Sequence, residues 1–367
     1  MKKHPIVYMF FSFIMILTFF DIVKKDNSFS ELENRNLAKE TYIFNKFFLE
    51  GKYRDKYEEY INDNFIFRNQ WINLKSISEY TLGKLENNNI IYGKENYMFE
   101  KNISYDKDRF KNNINSINKF IDIYEGKVTT MIVPNSYTIY EEYIPWGIKL
   151  LNQENLINEV YNGNSKDRNI DLVSLFKKNK EEYIYYKTDH HWTSYGAYLA
   201  YKAYIESLGE KPIDLNSLKK NEVAGFYGTY FSKAKLFSAE SDILTYYDID
   251  NITMNIQGEI FESLYDYDKL NTRDKYSVFI KGNNGLTIIE NKNIKLGKKL
   301  LIFKDSFANS MIPFLSQNFQ EIHVVDLRSF SWKVSEYMKN TNFNEILILY
   351  NMESFFLRDI SITRIKY

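Results

Sequence analysis

The sequence predicts a mixed α/β protein built on a mostly parallel sheet with helices on both faces. Three observations carry the prediction. Short apolar runs recur along the second half of the chain: "KVTTMIVPN", "EEYIYYKT", "KLLIFKDS", "EIHVVDLR" and "EILILYN". Near-continuous apolar runs, rather than alternating ones, mark strands buried on both faces. Helical patterns fall between them, as connections between parallel strands require.

The elements follow in chain order. "MKKHPIVYMFFSFIMILTFFDIVKK" opens with two lysines and an uncharged stretch from Pro5 to Phe20. Ile22 and Val23 extend it towards the length of a membrane span, about 17–25 residues. It is apolar all round, unlike a core helix with one apolar stripe. No small-x-small cleavage site follows, which favours a retained single-pass anchor over a cleaved signal peptide. Residues 1–25 are therefore expected to anchor the chain, with the remainder outside the cytoplasmic membrane. "NSFSELENRNLAKE" reads as a polar stalk ending in a helix start, since Ser30 and Glu33 have capping-box spacing. Helices are expected over Thr41–Asn62 and Arg68–Gly83, making 26–85 a helical stalk region.

From residue 86 the pattern becomes that of the α/β domain, 86–367. "IIYGKENYMFE" predicts a short hairpin. Phe110, Ile114, Ile117, Phe120 and Ile121 form one stripe of an amphipathic helix over Asp108–Tyr124. "TSYGAYLAYKAYIESLG" predicts a helix opened by Thr193 as N-cap and closed by Gly209. "FANSMIPFLSQN" predicts the helix after the strand "KLLIFKDS". Between Pro212 and Lys298 the rhythm breaks into aromatic-, Gly- and Asn-rich sequence. That segment reads as β-hairpins and loops, an insertion placed to cover a site.

Composition narrows the function. Among 367 residues, 48 basic side chains balance 48 acidic ones, without the basic excess of a nucleic-acid reader. Cysteine is absent, which removes disulfides, zinc–thiolate sites and a thiol nucleophile. Aromatics reach 17%, with 31 tyrosines. Codon bias in an AT-rich genome accounts for such a composition, so it carries no inference about carbohydrate. No P-loop, G-x-G-x-x-G, G-x-S-x-G elbow or β-lactamase motif set occurs.

Ligands of open α/β sheets sit at the carboxyl ends of the parallel strands. Three polar groups fall at such ends: Thr188–His191, Asp305–Ser306 and Tyr350–Asn351. Ser306 is the candidate nucleophile, because a strand-to-helix turn exposes its hydroxyl and offers backbone N–H groups to an oxyanion. A serine needs an imidazole base, and the chain has four histidines. His4 lies in the N-terminal segment and His323 inside a strand. In an extended loop, residues i and i+2 point the same way. Asp189 therefore pairs with His191 and fixes its tautomer, as in a Ser–His–Asp triad. His190 is expected to face away, and Trp192 to wall the site. Adjacent histidines with a carboxylate can ligate metal, but H-x-x-x-H and H-E-x-x-H spacings are missing. No metal or other cofactor is expected.

"TDHHW" together with "LLIFKDSFANSMIPFLSQNFQEIHVVDLR" resembles the DHHW family of exported bacterial proteins. That family is related to alginate O-acetyltransferase proteins carrying an SGNH-hydrolase-like domain. The similarity extends to "SELENRNLA", "INDNFIFRNQWINLK", "MIVPNSYTIYEEYIP", "FYGTYFSKA" and "DKYSVFIKGNNG". It implies a three-layer α/β/α SGNH-like fold whose triad runs Asp189, His191, Ser306, a rearrangement of the usual serine-first order. The usual oxyanion blocks then have no fixed place. Gly282 and Asn283, or Asn351, are the candidates for that role, and Tyr350 is a candidate site-lining hydroxyl. No fused carbohydrate-binding module is expected after "EILILYN".

The resemblance implies an O-acetyltransferase acting on an extracellular or cell-envelope polysaccharide through an acetyl-serine. A multipass membrane O-acyltransferase is the implied acetyl donor. Two alternatives stay open at the level of sequence: an acetyl esterase using the same residues, and a non-catalytic glycan-binding envelope protein.

Overall fold

A computed structural model describes residues 4–40, 51–163, 168–355 and 361–365. The chain forms two compact units. The first comprises Met1–Asn87 with Phe231–Ala239, and the second Asn88–Tyr230 with Glu240–Tyr367.

In the first unit the apolar N-terminal segment is one helix, Pro5–Val23, with no buried residue. It is long and apolar enough to cross a membrane. The helix start expected at Ser30 is instead a hairpin, Phe29–Ser30 against Arg35–Asn36. Ser30 Oγ does accept the Glu33 N–H, at 3.2 Å. It does so inside a turn that Asn34 closes with a left-handed φ of 51°. Ser side chains make such local bonds in turns and at helix caps alike, so the spacing alone could not separate the two. Helices Tyr53–Asn64 and Arg68–Thr81 follow; residues 41–50 of the first expected helix lie outside the described residues. Arg35 clamps both oxygens of Asp63, at 2.8 and 2.5 Å.

The second unit is built on an eight-stranded sheet. Numbered along the chain, its strands are β1 (Val128–Val133), β2 (Arg168–Asn169), β3 (Ile252–Ile256) and β4 (Glu259–Phe261). The remainder are β5 (Leu286–Asn291), β6 (Lys299–Lys304), β7 (Glu321–Val325) and β8 (Glu345–Asn351). Their order across the sheet is β4-β3-β5-β7-β6-β8-β1-β2. The pairs from β7 through β2 are parallel, and those from β4 to β7 antiparallel.

Side chains alternate between two helical layers. Met131, Val133, Leu300, Ile302 and Leu349 pack with Phe176, Ala200, Tyr204 and Phe314. Leu301, Phe303, Ile346 and Ile348 pack with Phe110, Ile117, Leu156 and Val160. The amphipathic stripe read from sequence thus covers one face, in the helix Lys107–Ile123. The helix Ser194–Ser207, capped by Thr193 accepting the Gly196 N–H, covers the other.

Three elements depart from expectation. "EEYIYYKT" is not a strand. Ile184, Tyr185 and Tyr186 are fully buried, but the segment folds on itself through an isolated Tyr185–Trp192 bridge. The N–H groups of Lys187 and Thr188, which a sheet strand would give to a neighbour, go to the Asp242 carboxylate at 2.8 and 2.9 Å. The 212–298 segment is more than a covering of hairpins and loops, because β3, β4 and β5 extend the sheet itself. Its other strands, Lys220–Phe226 and Asp242–Tyr247, form a separate ribbon. The helix after β6 is a 3₁₀ turn, Ser306–Ser310, followed by one α-turn, Ile312–Leu315, with Pro313 at its start where a missing N–H is tolerated.

Candidate active site

β6 ends at Lys304, and the chain turns at once into Ser306. Asp305 fixes that turn. One carboxylate oxygen accepts the Phe307 N–H at 3.0 Å and the other the Asn351 N–H at 2.7 Å. Burial raises the Asp305 pKa, and these two N–H donors oppose the rise. The Ser306 turn is thereby tied to the end of β8.

The loop Thr188–Trp192 brings the imidazole. His191 Nε2 lies 2.8 Å from Ser306 Oγ, and His191 Nδ1 lies 2.6 Å from Asp189 Oδ1. A carboxylate only accepts, so Nδ1 carries the proton and Nε2 is left to accept from the serine hydroxyl. Asp189 Oδ1 also accepts the His191 N–H at 3.0 Å, and Oδ2 the Thr229 N–H at 2.7 Å. Asp189 and His191 are buried, while Ser306 is partly open. Burial works to raise the Asp189 pKa. The charges of His190 and His191 and the bonds from His191 and Thr229 outweigh it and hold the pKa well below the usual carboxylate range.

A pH dependence follows. A carboxylate whose folded pKa is depressed contributes stability above its unfolded pKa and loses it as pH falls towards the folded value. Urea midpoints measured from about pH 6 to pH 2 should therefore fall more steeply in wild type than in Asp189→Asn, with the extra loss below about pH 4.

His190 does not face away. Its ring lies 3.8 Å from that of His191, and its Nδ1 lies 2.6 Å from Thr229 Oγ1 and 3.6 Å from Asp189. The alternation of an extended loop does not hold here, because Asp189 folds the loop back onto the His191 N–H. Asp189, His190 and His191 place three potential ligand atoms within 4.8 Å of one another. Binding a cation there would require breaking the 2.6 Å bond between His191 Nδ1 and Asp189, so the arrangement fits a proton better than an ion.

The other sequence candidates take different places. Trp192 is fully buried and walls nothing. Its indole N–H donates to the Phe307 carbonyl and Ser310 Oγ, both at 2.9 Å, pinning the histidine loop to the serine turn. Tyr350 is buried on the opposite face of the sheet, among Phe303 and Ile348, and does not line the site. Asn351 spends its amide on the Val133 carbonyl at 3.0 Å and its N–H on Asp305, so it braces the turn instead of facing an oxyanion. Gly282 and Asn283 sit beside the buried Lys304 and Asn309. Asn283 Oδ1 accepts from Lys304 Nζ at 2.7 Å and from Asn309 Nδ2 at 3.2 Å. Burial pushes the Lys304 ammonium down to about 8, against the pull of Asp326.

Three contributors were not singled out from sequence. The Tyr276 ring stacks on His191 at 3.7 Å and 11°, and its hydroxyl donates to the Ser306 carbonyl at 3.2 Å. Thr229 holds both Asp189 and His190. Gly228 lies against Asp189 so closely that a Cβ there would stand 2.1 Å from the Asp189 Cβ. "FYGTY" and "DKYSVF" contain these residues, but nothing local in either string says what they touch.

The site thus belongs to an α/β protein with a hydrogen-bonded Ser–His–Asp chain at the carboxyl edge of its sheet. The DHHW protein family model matches residues 43–325, and the chain belongs to that family. A DHHW family protein from Eubacterium siraeum is similar in structure, at 26% identity and a TM-score of 0.65, over 75% of this chain and 97% of its own. Bacillus cereus PatB1, solved with a sulfonyl adduct, is similar at 22% identity and 0.63, over 76% and 98%. The O-acetyltransferase domain of Pseudomonas putida AlgJ is more distant, at 13% and 0.47, over 75% and 98%. No curated protein is detectably similar in sequence.

Proposed function

We propose that this protein is a serine-dependent O-acetyltransferase of an extracellular or cell-envelope polysaccharide, built on an SGNH-like domain with rearranged triad order. The observation that carries the reading is the continuous chain Ser306 Oγ–His191–Asp189, with both links at hydrogen-bond length. Membership of the DHHW family, and the relation of that family to alginate O-acetyltransferases, support acetyl as the group and a glycan as the acceptor.

In the proposed reaction Ser306 Oγ attacks the acetyl carbonyl while His191 Nε2 takes the hydroxyl proton. Asp189 stabilises the imidazolium through Nδ1–H. Backbone N–H groups at the start of the Ser306 turn are the candidate donors to the tetrahedral oxyanion. Collapse passes the proton from His191 to the leaving group and leaves acetyl-Ser306. A sugar hydroxyl then gives its proton to His191 and attacks the acetyl carbon, which frees Ser306 and yields the sugar ester. Water in place of the sugar would give acetate. A multipass membrane O-acyltransferase is the proposed donor partner. Pro5–Val23 is the proposed single-pass anchor, with the catalytic unit outside the cytoplasmic membrane.

Intact-mass measurement of the detergent-solubilised full chain after exposure to 4-nitrophenyl acetate tests the reading. An added acetyl mass, absent in Ser306→Ala, is expected. Adding oligosaccharides should move acetyl onto sugar. Free acetate alone, across a panel of acceptors, would favour an esterase. A folded wild type with neither adduct nor turnover would overturn the catalytic reading.

A further inference from the structure

In the first unit the end of the apolar helix is tied to a second piece of chain. Asp21 Oδ1, in the last turn of the helix, accepts the Ile66 N–H at 2.9 Å. The Ile66 carbonyl accepts the Trp71 indole N–H at 3.1 Å. These two bonds place Trp71 and the loop Phe65–Phe67 level with Asp21. A third tie acts nearby, as the Tyr60 hydroxyl donates to Asp26 at 2.7 Å.

The helix has 19 residues, of which the stretch before Asp21 rises about 24 Å, a span that a locally thinned bilayer accommodates against the usual roughly 30 Å of hydrocarbon. Asp21 is the first charged residue after the uncharged run from Pro5 to Phe20, so it marks the boundary between hydrocarbon and headgroups. The residues tied to it are large, aromatic and uncovered: Trp71 is 41% exposed and Phe67 54%. Lys24 and Lys25 line the same groove as Phe65 and Phe67, and Lys24 pairs with Asp21 at 3.7 Å and Asp26 at 3.2 Å.

Phe67 adds an independent sign. It precedes the helix Arg68–Thr81 with φ 58° and makes no side-chain cap bond. A bulky residue in the left-handed region is strained, and such positions ordinarily take Gly or Asn. An N-cap ordinarily takes Ser, Thr, Asp or Asn. Folding gains little from this phenyl ring, because most of it faces outward. A ring held in an unfavourable backbone position and directed outward at the bilayer boundary suits insertion among lipid headgroups.

We infer that Phe65, Phe67 and Trp71 form an aromatic collar that inserts into the membrane interface beside the N-terminal helix. The inference rests on reading Pro5–Val23 as a membrane helix. The Trp71 indole N–H is already held by the Ile66 carbonyl, so what the three residues offer this layer is exposed aromatic ring surface, of the kind enriched at membrane interfaces. The collar fixes how deeply the helix sits and makes the helix pair Tyr53–Asn64 and Arg68–Thr81 a monotopic support, so the first unit holds the bilayer at two points.

The test uses full-length protein in phosphatidylcholine–phosphatidylglycerol vesicles carrying brominated acyl chains. Co-flotation of the protein with vesicles is measured first, then tryptophan quenching. Bromines near the headgroups (positions 6,7) should quench a component of the emission that is missing in Trp71→Phe, and bromines at 11,12 should quench it less. Phe67→Asn, which suits the left-handed backbone, should keep the fold and the flotation and weaken that quenching. Co-floating protein whose Trp71 component is untouched by either lipid would overturn the collar while leaving the anchor in place. Protein that does not co-float would overturn the anchor and the collar together.

Discussion

Replacing Ser306 by alanine is expected to lower turnover of an activated acetyl ester by on the order of 10⁴-fold or more. Folding stability should change by no more than about 1 kcal/mol, the net worth of one hydrogen bond. The reason lies in the division of labour within the site. Ser306 is held by its own turn, through Asp305 and the end of β8, and not by the His191 bond. Removing the hydroxyl leaves those supports intact. His191→Ala should cost a similar factor, since Nε2 at 2.8 Å is the base within reach of the hydroxyl. The decisive measurement is the double variant. Groups that act as one unit are strongly non-additive, so Ser306→Ala/His191→Ala should be no slower than either alone. Losses that multiply in the double variant would mean that the residues contribute separately and are not one relay.

The sequence disclosed the sheet well where strands were buried on both faces. β1, β6, β7 and β8 are near-continuous apolar runs, the pattern that burial on two sides favours. The same rule misread "EEYIYYKT". Ile184, Tyr185 and Tyr186 are as inaccessible as residues of a central strand, but Asp242, over fifty residues downstream, takes the backbone donors that a sheet would use. β3, β4 and β5 were hidden for the complementary reason. They lie at the antiparallel side of the sheet, and their pattern is broken by polar residues that a two-sided burial rule rejects.

Ser306 was visible because a strand-to-turn junction is a local event. The link from His191 to Asp189 was visible because it spans two residues. Tyr276 and Gly228 were not visible, since each acts on a residue 85 or 39 positions away in sequence. Trp192 and Tyr350 show the opposite limit. An aromatic beside a reactive motif reads as a site wall, yet both are buried. Trp192 donates its indole hydrogen inward, as a buried tryptophan must to satisfy its one donor.

Gly228→Ala is expected to lower turnover by roughly 10²–10⁴-fold, although the substitution adds a single methyl group and touches neither Ser306 nor His191. The added Cβ would lie 2.1 Å from the Asp189 Cβ and 2.2 Å from Oδ2, so the carboxylate must move. Asp189 is held from its other side by the His191 ring and backbone and by the Thr229 N–H. Any shift therefore lengthens the bond that sets the imidazole tautomer. Gly228 has no left-handed φ, which removes backbone strain as a competing cause. Gly225 supplies the control. Its φ is +76° and a Cβ there would meet nothing within 4 Å, so Gly225→Ala should cost roughly 1–2 kcal/mol of stability and leave turnover within about twofold. Thermal melts and ester kinetics on the two variants separate the effects. Loss of turnover in Gly228→Ala beyond its loss of stability would identify the glycine as the space that the Asp189 carboxylate needs. Full turnover in Gly228→Ala would show that the position of Asp189 does not limit the reaction, and the Ser306–His191 pair would then have to work without it.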